Sequence, residues 1–142
     1  MSENKRLQAE ITLTTSFQDA DPMGVIYHGN YFRFFEATRH ALLEQIDYSY
    51  NGMHTSGYLW PIIDVRVKYV RPITFNQEIR ITAELAEWEN RMKVNYVVYD
   101  VATGERLTRG YTMQVAVDMK TEEMCYASPK VFTDKVEAWH AQ

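Results

Sequence analysis

The order of apolar and polar positions predicts a strand followed by one long helix. Residues 9–18 (AEITLTTSFQ) alternate apolar and polar side chains around Ile11 and Leu13, which is typical of a strand. Residues 30–46 instead place apolar side chains at spacings of three and four, as a helix does. Asn30 is a suitable N-cap, so we expect the helix to begin there.

The second half of the chain predicts four more strands. Alternation with a period of two runs through residues 62–70, 78–88, 92–101 and 106–118. The pairs Glu89-Asn90 and Thr103-Gly104 predict hairpin turns, whereas Asn51-Gly52 and Ser56-Gly57 predict loops after the helix. The final stretch, KVFTDKVEAWHAQ, has a weak helical pattern and predicts a short terminal helix or an extension.

This order of elements predicts an α+β fold. Clean alternation indicates an antiparallel sheet with one buried face, and a single apolar helix would cover that face. The length of 142 residues suits a single domain with one core. Such a sheet leaves its edge strands unpaired, so we expect an oligomer that pairs them.

Composition excludes several classes of protein. The net charge of -4 disfavours a nucleic-acid partner. Cys125 is the only cysteine, so no intrachain disulfide is expected and a cytoplasmic location fits best. The polar N-terminus lacks the apolar core of a signal peptide, and no apolar run approaches the length of a membrane span.

Residues 19–31, DADPMGVIYHGNY, carry the main candidate chemistry. Turn formation alone accounts for an aspartate before a proline. However, the backbone amides of His28, Gly29 and the following helical turn have no intrahelical acceptors, so they form a candidate binding site for a negative charge. Asp21 is placed to attack a carbonyl carbon or to deprotonate a water. We interpret Asp19 as a part of the loop structure.

Other chemistries have less support in the sequence. His28 is a candidate ligand, base or structural donor, and the pair Glu36 and His40 is the only further hint of a metal site. With no third ligand at a recognised spacing, we expect no metal. There is no G-x-S-x-G motif or dinucleotide fingerprint, acids flank Cys125, and no cofactor is predicted.

Basic residues are scattered along the predicted strands. A solvated strand face explains them singly. Together they are candidates for binding the phosphates of a nucleotide-like ligand; they are Arg66, Lys68, Arg71, Arg91 and Lys93.

One long motif resembles a known family. F-x-D-x-D-x-x-G-V-I-Y-H-x-N-Y-x-x-F-F-E-x-x-R, from Phe17 to Arg39, resembles the signature of the 4-hydroxybenzoyl-CoA thioesterase family, particularly its bacterial acyl-CoA thioesterase branch. V-K-Y-x-R-P, from Val67 to Pro72, resembles its second strand. The resemblance covers about residues 8–120, which we take as the core of the domain, and leaves residues 121–142 as a C-terminal extension.

The resemblance implies a hotdog fold, in which a curved five-stranded antiparallel sheet wraps a long central helix. It implies a homodimer or homotetramer with active sites at the subunit interface. It also implies hydrolysis of an acyl-CoA or acyl-carrier-protein thioester, with the acyl group left open. The alternatives are a hotdog hydroxyacyl-thioester dehydratase and a non-catalytic acyl-binding protein of a biosynthetic assembly.

Roles carry over from the family by position. Asp21 is implied as the catalytic carboxylate, acting as nucleophile or general base. The backbone amide of His28 polarises the thioester carbonyl, and Tyr27 and Gly29 frame that amide. The family places phosphate contacts near Arg91 and Lys93. A family acid on the helix matches Glu36, for which we expect a structural pairing with Arg39 or His40.

Overall fold

The computed structural model describes residues 6–26 and 29–142. Its elements follow one another as β1 (Gln8–Thr14), a 3₁₀ helix (Phe17–Asp19), α1 (Gly29–Glu44), α2 (Tyr50–Ser56), β2 (Tyr58–Leu59), β3 (Ile62–Tyr69), β4 (Glu78–Glu87), β5 (Met92–Asp100), β6 (Arg106–Gln114), β7 (Val117–Asp118) and α3 (Lys130–His140). None of the helices within these ranges is long and apolar enough to cross a membrane.

Five strands form one antiparallel sheet in the order β1-β4-β5-β6-β3. Burial alternates along β4 and β5, because one face of the sheet packs inward and the other meets solvent. This confirms the predicted sheet and the hairpins at Glu89-Asn90 and Thr103-Gly104. The strands β2 and β7 pair separately.

Helix α1 lies against the buried face of the sheet. Phe35 is fully buried, and its ring stacks on that of Tyr96 with centroids 4.3 Å apart. Gly110 on β6 permits close packing here, because a Cβ at this position would lie 2.3 Å from the Arg66 carbonyl oxygen and 3.3 Å from the Phe35 ring. The central helix and its sheet therefore share one apolar core.

Two predicted boundaries are wrong. The first strand ends at Thr14 instead of residue 18, because the buried Thr15 hydroxyl donates to the Thr74 carbonyl at 2.7 Å and the chain then coils into the 3₁₀ helix. Helix α1 already includes Gly29, so Asn30 is inside the helix and is not its N-cap. The Asn30 side chain bonds backward, to the Asp19 carbonyl at 3.0 Å.

Residues 50–56 form α2 where the sequence predicts loops. The helix contains Asn51-Gly52 and stops at Gly57, whose φ of 91° is the left-handed conformation that commonly ends helices. The predicted last strand also divides, with β6 ending at Gln114 and β7 pairing with β2.

The C-terminal segment forms α3 and completes the core. Phe132 and Val136 are fully buried. The Phe132 ring lies 5.0 Å from the ring of Trp60 and 5.4 Å from the ring of Tyr48. Of the two sequence-based alternatives for this segment, the structure therefore has the helix.

Candidate active site

Residues 20–26 form a tight turn that is fastened to the loop before β4. The Asp21 amide donates to the Val25 carbonyl at 2.8 Å, and Gly24 adopts a φ of 84° at the bend. Val25 and Ile26 bridge to the segment at residues 73–74, where the Ile26 amide donates to the Ile73 carbonyl at 2.7 Å. Since Ile26 is buried, it anchors the turn to the core next to the start of α1.

Asp21 is half-buried in this turn, with one carboxylate oxygen held by backbone amides. Its Oδ1 accepts from the amides of Met23 at 2.8 Å and Val25 at 3.4 Å. Within residues 6–26 and 29–142, no hydrogen bond to Oδ2 is found. The carboxylate is therefore oriented through one oxygen and has the other available for chemistry.

Asp19 has a different environment. Its Oδ2 accepts from the Ser16 amide at 3.0 Å and the Ser16 hydroxyl at 3.1 Å, and its Oδ1 pairs with the Arg33 guanidinium. Burial alone would raise the pKa of the Asp19 carboxyl, but the bonds from Ser16 and the Arg33 charge together hold it below its ordinary value. These contacts fix the loop against α1, which is the structural role that the sequence predicts.

The remaining residues of the predicted catalytic loop are only partly described. Tyr27 and His28 lie outside the described residues. Gly29 is exposed in the first turn of α1, whose leading amides have no acceptors within the helix.

Arg91 and Lys93 lie together near the β4–β5 hairpin. Both approach Glu87, at 3.0 Å and 4.0 Å, and the Lys93 ammonium also sits 4.7 Å from the centre of the Tyr111 ring. The turn carrying Asp21 adjoins the other end of β4. A strand of 10 residues separates these places, which corresponds to about 30 Å. One chain therefore does not bring Arg91 and Lys93 beside Asp21.

Four other cations line a groove of about 450 Å³ on the outward face of the sheet. Across the described part of the chain, these side chains have no ion pair; they are Arg66, Lys68, Arg106 and Arg109. Arg71, which the sequence groups with them, pairs instead with Glu105 at 3.0 Å.

A cavity of about 670 Å³, open to solvent, runs along the outer side of α1 between this helix and α2 with β2. Its lining includes Arg33, which also pairs with Asp19, so one end of the cavity adjoins the Asp21 turn. The helix contributes residues from Arg33 to Leu43, which extends the cavity about 15 Å along α1. Leu43, Met53, Tyr58 and Trp60 make much of the wall apolar.

Charged side chains on α1 have other partners than expected. Arg39 donates to the Tyr96 hydroxyl at 3.2 Å, and His40 lies 3.5 Å from Glu44. The predicted pairing of Glu36 with Arg39 or His40 is therefore wrong; Glu36 is exposed at the cavity.

The described residues include no cluster of three His, Cys, Asp or Glu side chains that could hold a metal ion.

Sequence reasoning did not identify Arg33 or Gln114 as parts of the site. The spacing of apolar residues on α1 does not distinguish Arg33, because the side chain that it bonds to, Asp19, lies 14 residues earlier in the chain. Gln114 lies on the inward face of β6 with Thr108 and Thr112, all of them buried. No local signal distinguishes these polar residues from a solvated strand face.

Comparisons with known proteins agree with this architecture. The family model of the thioesterase-like superfamily matches residues 15–139. A relative from Bacillus subtilis (strain 168), named "Putative acyl-CoA thioesterase YneP", is 25% identical over 125 residues, covering 87% of this chain and 86% of its own.

Solved structures give the same fold. A DHNA-CoA thioesterase from Staphylococcus aureus superposes with a TM-score of 0.78 at 24% identity, covering 94% of this chain and 87% of its own. A mutant 4-hydroxybenzoyl CoA thioesterase complexed with 4-hydroxybenzoyl CoA gives a TM-score of 0.79 at 15% identity, covering 92% and 99%. The hotdog fold implied by the sequence motif is confirmed.

Proposed function

Since the chain belongs to the thioesterase-like superfamily, we propose that it hydrolyses an acyl-CoA thioester with Asp21 as the catalytic carboxylate. The observation that carries this proposal is the contrast between two acids in one loop. Asp19 has both oxygens engaged, whereas Asp21 has one oxygen anchored and one available beside the start of α1. The name of the Bacillus subtilis relative supports acyl-CoA as the substrate class.

Two routes use the same carboxylate. In one, Asp21 takes a proton from a water whose oxygen attacks the thioester carbonyl carbon. In the other, Asp21 attacks that carbon directly, and water then hydrolyses the resulting anhydride. In both, the carbon–sulfur bond breaks, the leaving thiolate takes the proton that water has given to Asp21, and the free acid leaves. The negative carbonyl oxygen that forms on the way would be stabilised by amides at the entry of α1, with His28 as the family-based donor and Tyr27 and Gly29 beside it.

An Asp21→Asn variant tests the proposal. Asparagine keeps an oxygen that can accept from Met23 and Val25, so the turn should keep its shape while the charged base or nucleophile is lost. We expect kcat/KM for acyl-CoA hydrolysis to fall by about 10²–10⁴-fold. Thiol release is measured with a panel of aromatic, short-chain, long-chain and carrier-protein thioesters.

Asp19→Asn is the matched control, because it removes the other acid of the same loop. It should weaken the bond to Arg33 and leave thioester cleavage within about tenfold of the parent. Retention of activity by Asp21→Asn would refute the proposed role. Thioester binding without thiol release by the parent protein would favour a non-catalytic binder, and hydration of an enoyl thioester would favour a dehydratase.

The active unit proposed here is a dimer that joins two copies through β3. This strand is one edge of the five-stranded sheet, so within residues 6–26 and 29–142 one side of its backbone has no neighbouring strand. Apolar side chains are also exposed along it, at Ile62, Ile63, Val65 and Tyr69. A second copy would cover these side chains and extend the sheet.

Such a dimer would also explain how Asp21 and the proposed phosphate contacts, which are far apart in one chain, belong to one active site. Within one chain, Arg91 and Lys93 are at the far end of β4 from the Asp21 turn. A site at a subunit interface could combine Asp21 of one copy with these cations of the other. The unpaired cations of the outward groove, among them Arg66 and Lys68, are the competing candidates for the phosphates of coenzyme A.

A further inference from the structure

Arg39 is a half-buried cation in the wall of the cavity along α1. Its Nη1 donates to the Tyr96 hydroxyl at 3.2 Å. Within residues 6–26 and 29–142, no carboxylate forms an ion pair with this guanidinium. A partly buried charge without a counter-ion costs free energy, and a bound anion would offset that cost.

The guanidinium of Arg39 is held in place by a chain of hydrogen bonds from the core. Because a guanidinium only donates, the Tyr96 oxygen accepts from it and keeps its own proton for the Thr112 hydroxyl, 2.8 Å away. The Tyr96 ring is fixed in turn by its stacking on Phe35, one turn before Arg39 on α1. A cation positioned in this way loses little conformational entropy when it binds a ligand.

Two nitrogens of Arg39, Nε and Nη2, remain available. Neither has a hydrogen-bond partner in the described part of the chain. The fully buried side-chain atoms that lack a partner there belong to Thr108, Gln114 and Ser128, so both nitrogens of Arg39 are accessible to solvent. The cavity along α1 is the opening that Arg39 lines. Parallel N–H groups on one edge of a guanidinium match the two oxygens of a carboxylate.

The other charges of the cavity wall differ from Arg39. Arg33 is neutralised by its ion pair with Asp19. Glu36 is the one acid among the described residues that line the cavity, and it is exposed and forms no ion pair with Arg39. Arg39 follows Arg33 on α1 by a distance of about 9 Å along the helix axis. The unneutralised cation therefore lies farther along the cavity from the Asp21 turn than Arg33 does.

We propose that Arg39 is a specificity-determining residue, which binds a carboxylate at the end of the acyl group remote from the thioester. The favoured substrates are thioesters of dicarboxylic acids, with one carboxyl group joined to sulfur and the other free. The apolar part of the wall suits the methylene chain between these two ends. This inference rests on the proposed function, because it takes the cavity along α1 as the site of the acyl group.

Paired substrates test the inference. Adipoyl-CoA, pimeloyl-CoA and suberoyl-CoA are each compared with the methyl ester of the same compound, which has the same chain but no distal charge. For at least one chain length we expect the parent enzyme to favour the free carboxylate in kcat/KM by about 10- to 100-fold, since hydrogen bonds between charged groups are the stronger ones. Arg39→Met keeps an apolar stem without the guanidinium and should reduce that ratio to about one.

Three further variants separate charge, position and fold. Glu36→Gln removes a negative charge from the wall and should raise the ratio, because the acid repels a distal carboxylate. Tyr96→Phe keeps the ring on Phe35 but releases the guanidinium, so the ratio should fall between those of the parent and Arg39→Met. Arg80→Met is the matched control, because Arg80 pairs with Glu10 at 2.8 Å and does not line the cavity. It should leave the ratio unchanged.

The outcomes separate this inference from the proposed function. If no acyl-CoA releases thiol, the proposed function fails, and calorimetric binding of the same pairs to the parent protein and Arg39→Met still tests Arg39. In that case equal affinities within every pair for the parent protein would overturn the inference.

Three kinetic or physical results would also overturn it. They are equal kcat/KM within every pair for the parent enzyme, an unchanged ratio in Arg39→Met, and a loss of the dimer mass of Arg39→Met in light scattering, since a second copy would then supply the counter-ion. Should Arg39→Met fail to fold, the parent ratios and Glu36→Gln decide the matter.

Discussion

Truncation of Phe132 to alanine should cost more stability than any exposed change on α3. Phe132 is fully buried between Tyr48 and Trp60, although it lies in the segment that the sequence motif does not cover. Removing a buried phenylalanine ring typically costs about 3–5 kcal/mol, through lost burial and the cavity left behind.

The expected change in melting temperature follows from the size of the chain. An unfolding entropy of about 2.1 cal/mol/K per residue gives about 0.3 kcal/mol/K for a chain of this length. A loss of about 3–5 kcal/mol then lowers Tm by about 10–17 °C. Circular dichroism melts at one fixed protein concentration measure it, since the Tm of an oligomer depends on concentration.

Val131→Ala is the matched control for this experiment. Val131 is the neighbouring residue on α3 and is 37% exposed, so its truncation should lower Tm by no more than about 3 °C. If Phe132→Ala lowered Tm as little as Val131→Ala, α3 would not be docked as described. The packing of Phe132 against Trp60, which lines the cavity along α1, would then be refuted as well.

Three further predictions concern charge and assembly. The pKa of Asp19 is lowered in the folded state, so the stability that its carboxylate contributes is present above the unfolded pKa and is lost as pH falls through the folded pKa. Asp19→Asn should therefore flatten the acid side of a profile of unfolding free energy against pH, measured by urea unfolding. Val65→Lys on the edge strand should shift the proposed dimer to monomer in light scattering; a dimer mass that the variant leaves unchanged would exclude β3 as the interface. Removing Arg91 and Lys93 should raise KM for an acyl-CoA but not for the matching pantetheine thioester, which lacks the nucleotide phosphates. If removing Arg66 and Lys68 raised KM in this way instead, the phosphates of coenzyme A would bind in the outward groove.

The sheet and its helix were predictable because their signals are periodic. Burial on one face of β4 and β5 requires alternation, and the faces of α1 require spacings of three and four. The segments that connect these elements were less predictable. Asn51-Gly52 is a common loop signal, yet it lies within α2, whose Ser56 hydroxyl is 3.0 Å from that of Tyr48 and whose Met53 packs against the core.

The inward face of β6 shows why alternation alone does not identify a buried face. Its buried side chains include Thr108, Thr112 and Gln114, whereas Arg109 and Met113 belong to the other face. Thr112 is compatible with the core because its hydroxyl is 2.8 Å from that of Tyr96, and Gln114 because it bonds to the Trp60 carbonyl. These partners are 16 and 54 residues away, so no local window of sequence contains them.

The candidate catalytic acid illustrates the same division between local and distant information. Asp19 and Asp21 are nearly equivalent in sequence, since both precede the same helix in the same loop. The spacing of Ser16 and Asp19 is a local signal that one acid binds backbone. The Arg33 charge that completes its coordination comes from α1, and only the fold brings it there. The position of Arg33 satisfies Asp19 and leaves Asp21 as the acid with an available oxygen, and the same side chain lines the cavity along α1. One distant contact thus distinguishes the two acids and also links the loop that carries them to that cavity.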